Sequence, residues 1–278
     1  MRKVPLFRSD LKVEATYPEV GPCFAEPLLR CRQNNVRPLF VSLSNRALFI
    51  YNRTMSKLYV IATPIGNLED ISQRALRILK EVDLILCEDT RVTKKLLTRY
   101  EISKPTTSYH QHSKLNKNRY ILKKLQENKD IALVSDAGTP TISDPGAKLI
   151  DYLVKEMAIL EIISIPGPSA ITAALSISGF SADKFVFFGF PPIKKKRKKF
   201  FQEVIDSKYT VVFYESPHRI LKTLNELTGI DKQIVVCREL TKKFEITYRG
   251  KIKDTIKQLT PLLNGKVKGE FVVVINHD

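Results

Sequence analysis

From Leu58 onward the chain alternates strand-length apolar runs with segments of helical period, and few architectures accept that pattern. Leu58–Ala62, Asp83–Cys87, Ile131–Val134 and Leu160–Ile165 are short and apolar. Between them, Ile71–Lys80 carries apolar residues at 71, 75, 76, 78 and 79, which fall on one helix face. Val92–Tyr100, Lys114–Asn128, Ala147–Glu156 and Ala170–Ser176 also read as helices, and a short strand falls within Lys104–His112. Strands separated by helices return to the sheet through crossovers, so an α/β fold with largely parallel strands is expected.

A second half repeats the theme with more strands. Phe185–Gly189, Thr210–Tyr214, Gln233–Cys237, Phe244–Gly250 and Glu270–Asn276 read as strands, the last (E-F-V-V-V-I-N) as a central one; Phe200–Ser207 and Ile220–Thr228 read as helices. The expected organisation is two α/β domains, 55–168 and 169–278, with mixed, largely parallel sheets and a cleft between them. Residues 1–54 differ: Pro5, Pro18, Pro22, Pro27 and Pro38 punctuate them and no clear period emerges. They are expected to be an extension without a packed fold, upstream of a true start at Met55. Glu14, Glu19 and Glu26 argue against a transit peptide, and the lack of an apolar h-region argues against a signal peptide.

Five of the apolar runs end in loops of one character: T-P-I-G-N-L, S-D-A-G-T-P, P-G-P-S-A, E-S-P-H-R and R-E-L-T-K. Ligands of open α/β sheets sit outside the carboxyl ends of strands, so five such loops from both halves suggest a shared ligand cleft. Generic Gly- and Pro-rich connections are the plainer explanation for any one of them. Within Ser135–Gly146, Asp136–Pro140 is expected to face the ligand and Ser143–Gly146 to shape the turn into the next helix.

Several chemistries lack their signatures. No G-x-x-x-x-G-K-[S/T], G-x-G-x-x-G, H-E-x-x-H or G-x-S-x-G is present. His110 and His112 have no further His or Cys nearby, so no metal is expected. Cys23, Cys31, Cys87 and Cys237 form no C-x-x-C pair, which favours reduced thiols and a cytoplasmic protein. No run approaches the roughly 20 apolar residues of a membrane span. The formal charge of +17 favours a polyanionic partner, nucleic acid first.

Seven blocks together carry a family resemblance. Leu58–Leu68 (L-Y-V-I-A-T-P-I-G-N-L), Glu88–Arg91 (E-D-T-R), Leu133–Gly146 (L-V-S-D-A-G-T-P-T-I-S-D-P-G), Ile165–Ala170 (I-P-G-P-S-A), Phe213–Arg219 (F-Y-E-S-P-H-R), Arg238–Lys242 (R-E-L-T-K) and Lys268–Val272 (K-G-E-F-V) occur in the family's order. They resemble the bacterial 16S ribosomal RNA cytidine 2′-O-ribose methyltransferases, a branch of the tetrapyrrole methylases, or class III S-adenosylmethionine methyltransferases. Departures are small: His110-Gln-His112 stands where a His-Asn pair is more typical, and Phe244-Glu245 where the family often has a second acidic residue.

The resemblance implies a cytoplasmic homodimer that binds S-adenosylmethionine in the interdomain cleft and methylates rRNA of the small ribosomal subunit. It assigns the cofactor to Pro64, Ile65, Gly66, Asp136, Ala137, Gly138, Thr139 and Pro140 from the first half. It further assigns Pro166, Gly167, Ser169, Tyr214, Glu215, Ser216, Arg238 and Leu240. Methyl transfer from a sulfonium is an in-line displacement that needs an aligned hydroxyl and a proton acceptor. Glu88, Asp89, Arg91, Asp136, Glu215, His218, Arg238 and Lys242 stand at strand ends, and Asp89 and Arg91 are expected to face the substrate ribose and phosphate. Lys194, Lys195, Lys196, Arg197, Lys198 and Lys199, with His218 and Arg219, are expected to grip RNA phosphates; the plainer reading of that run is a solvated loop. Two rivals remain open: a small-molecule tetrapyrrole methylase, and an RNA-binding assembly factor without catalysis.

Overall fold

The computed structural model describes residues 56–110, 115–263 and 269–277. The expectations for 1–54, Met55, His112 and Lys268 lie outside these residues.

The first sheet is built from β1 (Lys57–Ile61), β2 (Leu84–Cys87), β3 (Thr106–Ser108), β4 (Ile131–Val134) and β5 (Glu161–Ile165), in the order β3-β2-β4-β1-β5. Every pairing in it is parallel. All four residues of β2 and of β4 are buried, as strands covered on both faces must be. The crossovers are α1 (Gln73–Glu81), α2 (Thr90–Arg99), α3 (Leu115–Gln126) and α4 (Ala147–Glu156). Sequence starts α1 and α2 where caps are available: Ser72 Oγ accepts from Ala75 N at 3.1 Å, and an Asp89 carboxylate oxygen accepts from Arg91 N at 2.8 Å. Helices cover both faces and two cores result, one around Ile61, Leu79 and Ile85 and one around Leu58, Leu133 and Leu149.

The second sheet holds β6 (Phe185–Phe187), β7 (Thr210–Glu215), β8 (Gln233–Arg238), β9 (Ile246–Lys251) and β10 (Phe271–Ile275), in the order β6-β7-β10-β8-β9. Only β6 and β7 pair in parallel; β7–β10, β10–β8 and β8–β9 are antiparallel. Parallel character is therefore concentrated in the first sheet. The last strand is central as expected, and all five of its residues are buried. Each such Val, Ile or Phe contributes roughly 1.5–3 kcal/mol by leaving water. Helices α5 (Ala170–Ser178), α6 (Arg197–Ile205), α7 (Ile220–Glu226) and α8 (Ile252–Leu263) flank this sheet. The α8 helix was not expected, although Ile252, Ile256 and Leu259 recur at helical spacing. The α6 helix begins three residues before the expected Phe200, because Arg197 is drawn inside the fold.

Candidate active site

Strand order places β1 beside β4, so the loops leaving their carboxyl ends are neighbours. They are stitched by an isolated bridge. Thr63 N donates to Gly138 O at 2.9 Å and Gly138 N to Thr63 O at 3.0 Å. Thr63 Oγ1 also donates to Ser135 O at 3.1 Å. Gly138 sits at φ 82°, a conformation that an L side chain resists. Loops of the second half close against this pair. Asn67 N donates to Thr241 Oγ1 at 3.1 Å, and a Cβ on Gly66 would strike the Lys242 side chain. Within the first half, Thr139 Oγ1 donates to Pro168 O at 3.4 Å, at the boundary between the halves. The backbone is held under strain on both sides: Thr141 and Ser143 on one, Glu239 and Thr241 on the other, all adopt left-handed conformations without being glycine. Such residues persist where the surroundings over-determine them, and they concentrate at ligand sites.

Between these loops lies a cavity of about 320 Å³. Its apolar wall includes Ile65, Phe190, Tyr214, Leu240 and Phe271, with the Phe190 and Tyr214 rings 5.3 Å apart. Its charged side chains are Asp136, Asp144, Glu215 and Glu270; among the described residues no Lys, Arg or His lines it. In a chain of net charge +17 this is an acidic island. Two of the four carboxylates are already matched. Glu215 is fully buried: Oε1 accepts from Ser216 N at 2.7 Å and pairs with Arg219 Nη2 at 2.8 Å, while Oε2 accepts from Thr223 Oγ1 at 2.5 Å. Glu270 pairs with Lys242 at 2.9 Å.

Asp136 and Asp144 line the cavity and, among the described residues, have no cationic partner of that kind. One Asp136 carboxylate oxygen accepts from Asp89 N at 2.9 Å, which ties the β2 and β4 loops together. Burial, then the nearby Glu88 and, more weakly, Asp136, push the Asp144 carboxyl up to about 6 against a hydrogen bond from Ser135. Burial also pushes the Tyr214 hydroxyl up to about 12, with Asp144 and Glu270 acting in the same direction.

The structure brings Ile65, Asp136, Ala137, Gly138, Thr139, Ser169, Tyr214, Glu215, Ser216 and Leu240 onto the cavity wall. Pro64, Gly66, Pro140, Pro166, Gly167 and Arg238 are not on that wall. Pro140 is buried behind it, and Gly167 packs against the end of β1, where an added Cβ would come within 3.1 Å of Ala62 Cβ. Arg238 lies behind Gly269, an added Cβ of which would sit 3.3 Å from its Nε. The division of Ser135–Gly146 needs correction: Ser143 and Asp144 also line the cavity, because the strained turn at Thr141–Ser143 folds back over it. Phe190 and Glu270 were missed as well. Phe190 stands in F-G-F-P-P after β6, a Gly- and Pro-rich strand end like the other five, and Glu270 stands in the K-G-E-F-V block.

Asp89 and Arg91 stand at the mouth of the β2 loop. Asp89 caps α2 and holds Arg91 through Arg91 Nη2 at 2.7 Å and Nε at 3.1 and 3.2 Å. The hydrogen bonds from Arg91 pull the Asp89 carboxyl down to about 2. A carboxylate so depressed is a weak proton acceptor near neutral pH. Arg91, by contrast, is exposed.

The basic run divides. Lys194, Lys195, Lys196, Lys198 and Lys199 are exposed, whereas Arg197 is 6% exposed. Arg197 Nε donates to Glu226 at 2.9 Å, Nη1 to Pro192 O at 3.0 Å and Nη2 to Thr223 Oγ1 at 2.7 Å. Arg219 is likewise committed, to Glu215, Ser216 and Pro191 O. Both guanidiniums belong to one network, with Arg197 buried and the Arg219 side chain 23% exposed, and the planar fork of arginine explains why it stands there. His218 is exposed beside them. Among the described residues no helix is long and apolar enough to cross a membrane, and no cluster of His, Cys, Asp and Glu is arranged to hold a metal.

Comparison with known proteins narrows what such a cavity serves. The family described as Tetrapyrrole (Corrin/Porphyrin) Methylases matches residues 57–256. Ribosomal RNA small subunit methyltransferase I of Thermotoga maritima is 43% identical over 80% of this chain and 99% of its own length. Proteins of the same name from Synechocystis and Bacillus subtilis are 45% and 44% identical, over 79% and 75% of their own lengths. Among solved structures, the methyltransferase CobJ matches with a TM-score of 0.59 at 18% identity over 80% of this chain and 94% of its own. A cobalt precorrin-4 methyltransferase matches at 0.55 and 18%, over 79% of this chain and 94% of its own. Those two likenesses establish the fold, and the curated relatives establish the branch: the chain is a methyltransferase of the tetrapyrrole methylase family, and within it belongs with the ribosomal RNA small subunit methyltransferases I.

Proposed function

We propose that the cavity binds S-adenosylmethionine and that the enzyme methylates a ribose 2′-hydroxyl of a cytidine in 16S rRNA of the small ribosomal subunit, with halves 55–168 and 169–278 acting as two domains around the ligand. The observation that carries the cofactor assignment is the acidic island in a strongly basic chain. Carboxylates without matched cations suit a ligand that is itself cationic, and an apolar, aromatic wall suits a purine ring. S-adenosylmethionine supplies, when bound, an electrophilic methyl group on a positively charged sulfur. Asp136 and Asp144 would lie against its charged portion, with Ile65, Leu240, Tyr214 and Phe190 around its ring and the Ala137–Thr139 backbone within reach of its polar edge.

The remaining work belongs to the chain's own groups. The loops must exclude water, fix the incoming hydroxyl and accept its proton. Asp89 acts as a positioning residue that aims Arg91 at a backbone phosphate. Asp89→Ala is expected to lower kcat/KM for small subunits by about 10-fold while leaving cofactor affinity unchanged. Calorimetry beside a methyl-transfer assay reads both, and a parallel loss of cofactor binding would move Asp89 into the cofactor site. The dimer and the cytoplasmic location follow from the same family reading; sedimentation at assay concentration tests the dimer.

Cofactor affinity should depend on pH through Asp144. Its pKa is raised to about 6 in the ligand-free protein, so below that pH it is neutral and offers no charge to a cation. Affinity is therefore expected to rise as pH climbs from 5 to 7, and Asp144→Asn should flatten that rise. The sign for stability is the reverse. A raised carboxylate pKa means the unfolded chain gives up its proton first, so stability falls as pH climbs from about 4 to 6, and a bound cation restores it. Titration calorimetry with S-adenosylmethionine across this range tests the assignment; no binding at any pH would overturn it.

RNA contact is assigned to the exposed lysines, with His218 beside them. Changing Lys194, Lys195, Lys196 and Lys198 together to Gln is expected to lower subunit affinity and reduce its log–log salt slope by about 3. Unchanged binding would return the segment to a merely solvated loop. Arg197 is left out of that set because its loss would disturb the fold.

A further inference from the structure

A second cavity, of about 220 Å³, shares Asp136 with the acidic one. It lies between the loop after β1 and the side of α2 that carries Val92, Thr93 and Leu96, and its apolar walls come from Pro64, Leu68, Val92 and Leu96. Leu68 and Val92 are 38% and 39% exposed at its mouth, outside the packed core. The position of Leu68 is fixed from behind, since Tyr100 Oη donates to its carbonyl oxygen at 2.6 Å. At the base of the groove Thr93 is buried; among the described residues its hydroxyl has no well-formed hydrogen bond, and the weakly bonding Cys87 thiol lies near it. Lys95 lines the groove, and α2 also exposes Arg91, Lys94 and Arg99.

The geometry points to this groove as the seat of the target nucleotide, rotated out of its RNA stack, with its base against Leu68, Val92 and Leu96 and its ribose toward Asp136. This rests on the reading that the acidic cavity holds the methyl donor. Three observations combine. Donor and acceptor must meet, and Asp136 is the wall common to the two cavities. A base removed from its stack needs apolar surface for its faces and a few polar groups for its edge, which Leu68, Val92, Leu96 and the Thr93 hydroxyl provide. The flanking nucleotides bring phosphates, which the α2 cations match. The groove volume of about 220 Å³ is on the scale of one nucleoside.

Val92→Trp tests this, because Val92 is exposed and a larger ring there fills the mouth without entering the core. With small subunits as substrate, kcat/KM is expected to fall by about 10-fold or more. The S-adenosylmethionine dissociation constant, measured by calorimetry on the same preparation, should stay within about twofold of the wild-type value. Unchanged methyl transfer, or a loss of cofactor affinity matching the loss of transfer, overturns the assignment. As a second test on the wild-type protein, RNA carrying 5-iodocytidine at the modified position should photo-cross-link within residues 92–99; a cross-link confined to other segments also overturns it. Failure of the wild-type protein to bind S-adenosylmethionine marks a different fault, in the cofactor reading on which the groove depends.

Discussion

Glu215→Ala is expected to cost about 3–5 kcal/mol of folding stability and to lower the unfolding midpoint by on the order of 10 °C. The carboxylate is buried, and each of its oxygens is committed: one to Ser216 N and Arg219, the other to Thr223. Thr223 in turn receives Arg197, which is held by Glu226. Removing the anion strands Arg219, whose side chain is only 23% exposed, and leaves the buried Thr223 hydroxyl short of its acceptor. The burial energy of an uncompensated guanidinium exceeds what any exposed ion pair in this chain contributes. A thermal melt of wild type, Glu215→Ala and Glu215→Ala/Arg219→Ala measures this. The double variant should recover part of the loss, because it no longer buries an unmatched charge; a midpoint within 2 °C of wild type for Glu215→Ala would mean that the network carries little stability.

Asp136→Ala is expected to lower kcat/KM for subunit methylation by roughly 100-fold or more while leaving the melt nearly unchanged. Asp136 stands on both cavities and receives the Asp89 amide, so one substitution removes a counter-charge at the donor site and loosens the loop that carries Arg91. Asp136→Asn separates the two effects. The amide oxygen can still accept from Asp89 N, so loop geometry is retained while the charge is lost. Cofactor affinity should weaken in both variants, and the additional loss in kcat should appear mainly in the alanine variant. Equal kinetics for the two would show that the charge alone matters.

Much of this molecule is legible in its sequence, for identifiable reasons. Apolar runs such as Ile131–Val134 and Phe271–Ile275 are buried on both faces, so their burial is written directly in residue type. The strand-end loops carry Gly and Pro where the backbone requires them: Gly138 at φ 82° forms the Thr63 bridge, and Gly66 is the position where the Lys242 side chain leaves no space for a Cβ. What composition hides is partnership. Arg197 reads as one of six equivalent cations, yet it alone among them is buried, because Glu226 and Thr223 on α7 make a site that only a guanidinium fits. Asp144 reads as a turn residue because its exposure to the cavity depends on the left-handed Thr141 and Ser143, for which neither residue type gives a local signal. Asp89 reads equally as cap and as catalytic group. The structure gives it the cap and the Arg91 pair, which depresses its pKa to about 2 and points it to a supporting role. Pro64 was expected beside the cofactor and lies on the second cavity instead, since the chain turns at Pro64–Ile65 to present successive residues to different sides.

The central claim is that the acidic cavity holds a methyl donor used on ribosomal RNA ribose. Its most direct test is transfer of labelled methyl from S-adenosylmethionine to small ribosomal subunits that lack this modification, followed by alkaline hydrolysis of the RNA. A methylated 2′-hydroxyl blocks cleavage at its own position, so the account predicts that the label is recovered in an alkali-resistant dinucleotide from 16S rRNA, with a cytidine as its modified member. Label released as an ordinary mononucleotide would place the methyl group on a base and contradict the reaction. Label passing to a tetrapyrrole but not to subunits, or to neither, would contradict the substrate.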